Sequence, residues 1–72
     1  MNYKHIIDPI VFLQAHFSRA FMVRHDLTTQ EFLELDREND IIGFLRIGYE
    51  PFHLTGDEGV LDELDEYVFG PG

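Results

Sequence analysis

The sequence predicts an all-α fold, a compact bundle of four helices with the middle two short, and three observations carry that prediction. Apolar residues recur at helical spacing in two long stretches. The first holds Ile10, Leu13, Phe17, Ala20 and Phe21, and the second Val60, Leu61, Leu64, Tyr67 and Val68. Between them, Thr28-Thr29-Gln30-Glu31 has the form of a capping box, which opens a helix. No stretch alternates apolar and polar residues with period two for long enough to build a strand.

Each element follows from local signals. Asp8 is suited to N-cap the first helix, with Pro9 in the first-turn position that tolerates proline best. That helix is expected over 9–25, its apolar face widened by Phe12, His16 and Val23, and Tyr3–Ile7 could add a turn before it. The second is expected over 29–37, with Leu27 and Phe32 placed as a hydrophobic staple around the Thr28 cap. Glu38-Asn39-Asp40 is a polar break that caps a third helix, 40–49, carrying Ile41, Ile42, Phe44 and Leu45. Gly48 loosens its last turn, and it must end before Pro51. After the connector Phe52–Gly56, the fourth helix is expected over 58–69. Asp57 or Thr55 would cap it, and Gly70-Pro71-Gly72 ends it.

Length and composition bound the rest. Seventy-two residues make one domain, and a chain of that size buries only about 60% of the surface it exposes when unfolded. A 44% hydrophobic and 14% aromatic content is ample for a core and too high for a disordered chain. Cysteine is absent, which removes disulfides, thiolate metal sites and cysteine nucleophiles together. No basic start precedes an apolar run in the manner of a signal peptide. Runs such as Ile10–Leu13 and Ala20–Val23 fall far short of the roughly 20 residues that span a bilayer. A soluble, cytoplasmic protein is the expectation.

Charge is distributed unevenly. All but one of the 14 acidic residues lie at or after Asp26, so residues 1–25 carry a net +2 and residues 26–72 a net −11. Such a second half repels phosphates and anionic lipids and attracts cationic proteins. Direct nucleic-acid binding is disfavoured, because phosphate contacts need clustered bases and the five here are scattered.

Several residue clusters could carry chemistry, and each also has an ordinary structural role. Asp57, Glu58, Asp62, Glu63, Asp65 and Glu66 form an acidic helix without a Lys or Arg among them. It reads as a solvated face or as a docking face for a basic partner, with Asp62, Glu63, Asp65 and Glu66 the candidate contacts. Asp36, Glu38 and Asp40 have the first spacing of an EF-hand calcium loop, but Ile41 and Ile47 stand where glycine and glutamate are required. His5, His16, His25 and His53 include no pair at i, i+4, so no ready zinc face exists. His16 is expected to border the core and His25 to suit a helix C-terminus. His53 sits in a turn near Tyr49 and Thr55, where it fastens the last two helices or meets a partner.

Ser18, the sole serine, lies mid-helix, away from any expected oxyanion hole. Paired carboxylates of the glycosidase kind need a deeper pocket than a domain this small usually offers. No glycine-rich phosphate cradle is present. No catalytic, cofactor-binding or metal-ligating residue is therefore assigned. Ten aromatic rings, with Val11 and Met22 on the otherwise polar side of the first helix, imply surplus apolar surface. Phe12 and Met22 join the candidate partner contacts on that ground, and His53 with them.

Leu27-Thr28 before a helix, Ile41-Ile42-Gly43-Phe44-Leu45, Tyr49 with His53 four residues on, Thr55, and an acidic stretch ending Leu64-Asp65-Glu66-Tyr67 together resemble a family of small bacterial proteins. It is the one named domain of unknown function 3791, and the likeness covers roughly residues 5–68. Members often read His-Thr together, whereas Leu54 separates His53 from Thr55 here. Members are often encoded beside larger proteins with an ADP-ribosyltransferase-like domain. The resemblance thus implies an accessory or antitoxin-like role with a toxin-like partner.

The expected function is a non-enzymatic protein-interaction module, and a homodimer is compatible with it. The first rival reading is an acidic nucleic-acid mimic or competitor that binds a basic DNA-binding protein. The second is a small enzyme centred on His53.

Overall fold

Four helices make up most of the residues that the computed structural model describes, 8–48 and 56–70. They are α1 (Pro9–His25), α2 (Thr29–Asn39), α3 (Ile41–Ile47) and α4 (Asp57–Phe69), and there is no strand among the described residues. The fold is all-α, as expected. None of these helices is long and apolar enough to cross a membrane.

Local chemistry sets most of the boundaries. Asp8 accepts from the Ile10 N–H at 2.8 Å and Pro9 opens α1. The helix ends at Asp26 in the left-handed region (φ 54°). There the N–H groups of Asp26 and Leu27 return to the carbonyls of Val23 and Met22, a Schellman arrangement. Leu27 and Met22 are both partly buried against the core, as the hydrophobic contact of that motif requires.

The capping box of α2 is complete. The Thr28 hydroxyl accepts from the Glu31 N–H at 3.1 Å and the Glu31 carboxylate accepts from the Thr28 N–H at 2.8 Å. This helix runs to Asn39, two residues past its expected end, where the Asn39 amide donates to the Leu35 carbonyl.

A single residue, Asp40 (φ 55°), separates α2 from α3. Its N–H closes α2 on Asp36, and its carboxylate caps α3 at the Gly43 N–H, 3.2 Å away. Asp36 accepts from the Ile42 N–H at 2.9 Å. A side chain at residue 43 would collide with the capping carboxylate, which accounts for the glycine there. Both aspartates of the calcium-like run therefore hold backbone. α3 closes at Ile47 with Gly48 as its C-cap; Tyr49 and Pro51 lie outside the described residues.

The expectation for the start of α4 needs correcting. Gly56 is the N-cap and supplies no side-chain cap, while Asp57 is the first helical residue and turns to α1 instead. Thr55 lies outside the described residues.

α1 is the centre of the packing, with α3 and α4 laid against it and α2 against α3. The core joins Leu13, Phe17 and Phe21 of α1, Phe32 of α2, Ile41 and Leu45 of α3, and Val60, Leu61 and Leu64 of α4. Phe21 is fully buried, edge-on to Phe32 and stacked with Phe69. Tyr67 stacks on Phe44 at 4.1 Å and its hydroxyl donates to the Asn39 carbonyl, which pins the end of α4 to the α2–α3 turn.

Two positions on α1 fall the other way round from the expectation. Val23, read as widening the core face, is 75% exposed. Met22, read as outward, packs against the core. The flank of α1 that carries Phe12, His16, Arg19 and Val23 lies beside α4 rather than beneath it, while the Schellman turn draws Met22 inward.

Among the described residues, Ser18 is the one buried polar side chain, and its hydroxyl has no hydrogen-bond partner there. An unpartnered buried hydroxyl is destabilising, and alanine is the better helix former. Ser18→Ala is expected to raise stability by about 1 kcal/mol, read from the urea midpoint at unchanged slope. A variant less stable than the wild type would mean that the hydroxyl does have a partner.

Candidate functional site

The spacing of the acids on α4 places Glu58, Asp62 and Asp65 in one stripe, at i, i+4 and i+7. Such a stripe repels itself unless a cation lies along it, and α4 holds none. The cation comes from α1. Arg24 donates through Nη2 to Glu58 Oε1 at 2.7 Å, and through Nη1 to Asp62 Oδ1 and Asp65 Oδ2, both at 3.1 Å.

Two histidines extend the contact. His25 Nε2 lies 2.7 Å from Asp65 Oδ1, and His16 Nε2 lies 2.9 Å from Asp57 Oδ2. A carboxylate only accepts, so each Nε2 carries a proton. The hydrogen bond to Asp62, foremost, raises the Arg24 pKa above its ordinary value. Partial burial opposes it, and Asp65 and Glu58 add to the rise. Because that pKa is raised, the contribution is complete below the ordinary arginine range and is lost only as pH climbs beyond it.

The acidic helix is therefore tied back onto its own chain. Of the candidate partner contacts, Asp62 and Asp65 hold Arg24. Glu63 and Glu66 are exposed and make no ion pair among the described residues. Arg24 is the residue that sequence reasoning missed as the clamp. The one signal for it was a six-acid helix without a base, which calls for a cation from elsewhere. His16 borders solvent more than core, with its ring edge-on to Phe17. His53 lies outside the described residues.

Beside the clamp lies an open groove of about 650 Å³ lined by α1 and α4. Ala20, Val23 and Leu61 supply its apolar surface. His16, Arg19 and Arg24 stand on the α1 side, and Asp57 and Glu58 on the α4 side. Phe12, 59% exposed, stacks along His16 and continues the apolar strip toward the start of α1. Arg19 is exposed and meets no carboxylate among the described residues. The His16–Asp57 pair has the form of a base with its orienting acid, yet the lining offers no hydroxyl or thiol for it to activate. The His16–Asp57 and Arg24–Glu58 pairs join its two sides at 2.9 and 2.7 Å, so what lies open is a shallow surface on which Val23 and Arg19 are exposed.

An acidic, all-α domain whose last helix is tied to its first by Arg24 is the class these features define. The chain belongs to the family described as Protein of unknown function (DUF3791), which it matches over residues 19–69. No curated protein and no solved structure matches it. The matched span begins at Arg19 and takes in the Arg24 clamp and α2 to α4, while Phe12 and His16 precede it.

Proposed function

We propose that the protein is a non-enzymatic interaction module that holds another protein in the groove between α1 and α4. The observation that carries this reading is the groove itself, where Val23 stands exposed beside Ala20 and Leu61, with Phe12 exposed farther along α1. Large apolar side chains gathered at one rim favour a protein contact. The absence of cysteine fits a cytoplasmic setting, and the family resemblance supports a bacterial one and an accessory or antitoxin-like role. The partner it favours is a toxin-like protein related to ADP-ribosyltransferases and encoded beside it.

The reading as an acidic nucleic-acid mimic draws less support. A mimic needs free carboxylates at phosphate-like spacing, and Glu58, Asp62 and Asp65 already hold Arg24.

Co-expression with the neighbouring gene tests the proposal. Tagged wild type is expected to co-purify with that protein at low salt. Val23→Glu, which places a charge on the apolar floor without touching the core, should lose it. No complex with the wild type, or equal recovery with Val23→Glu, would count decisively against the groove.

A further inference from the structure

We draw no further inference here: the strongest candidate, the exposed stripe of Phe12, His16, Arg19 and Val23 along α1, belongs to the surface already described beside α4, and nothing in the structure shows what covers it.

Discussion

Phe21→Ala is expected to abolish the folded state or leave it barely populated. The Phe21 ring is fully enclosed and touches three others: Phe32 edge-on at 6.2 Å, Phe69 stacked at 6.1 Å, and His25 at 4.6 Å. Truncating a buried phenylalanine typically costs about 3–5 kcal/mol, from lost transfer energy and the cavity left behind. At roughly 0.05–0.15 kcal/mol per residue, a chain of 72 residues has about 4–11 kcal/mol in total, and a domain this small falls toward the low end. The ring also joins α1, α2 and α4, so no single helix can collapse into the vacancy. Urea denaturation followed by circular dichroism checks the prediction. A loss below about 1 kcal/mol would mean that these rings are not the centre of the core.

Arg24→Glu is expected to destabilise the protein and to act on one interface. It removes the cation shared by Glu58, Asp62 and Asp65 and adds a fourth carboxylate among them. The N-terminal half of α4 should then separate from α1, while Tyr67 and Phe44 still hold its other end. Arg24→Gln, which keeps a donor and loses the charge, should fall between the two. Raising NaCl screens the crowded acids, so the gap in melting temperature between wild type and Arg24→Glu should narrow. Amide hydrogen exchange should place the loss of protection at the start of α4 and spare α2 and α3. Uniform protection in Arg24→Glu would show that apolar packing alone docks α4.

The second of these results probes what the sequence did not disclose. Helix starts were legible because caps are local: Asp8-Pro9, Thr28 with Glu31, and Asp40 each act within three residues. The clamp was not, because Arg24 lies far along the chain from the acids it holds. An acid-rich helix looks alike whether its counter-charge is a partner or another helix of the same chain. The exchange of Val23 and Met22 has a similar origin. Val23 was read on the apolar face and Met22 on the polar one, and which side is covered depends on where the other helices lie. Ile10, Leu13, Phe17 and Phe21, nearer the middle of that face, gave no such ambiguity.

The groove was only half visible in advance. Phe12 was flagged by its excess apolar character, and it is exposed. Arg19, Ala20 and Leu61 could not be grouped with it, since helical spacing puts Arg19 beside Phe12 but says nothing of what α4 brings near. The groove is therefore a tertiary fact, and so is any function assigned to it.

The central claim is that this groove binds protein, and a calorimetric titration against the co-purifying partner tests it most directly. Wild type is expected to bind, and Val23→Glu to bind at least about tenfold more weakly with its fold intact. Equal affinity of the two, with binding lost instead on reversing Glu63 and Glu66, would move the site to the outer face of α4 and contradict the account.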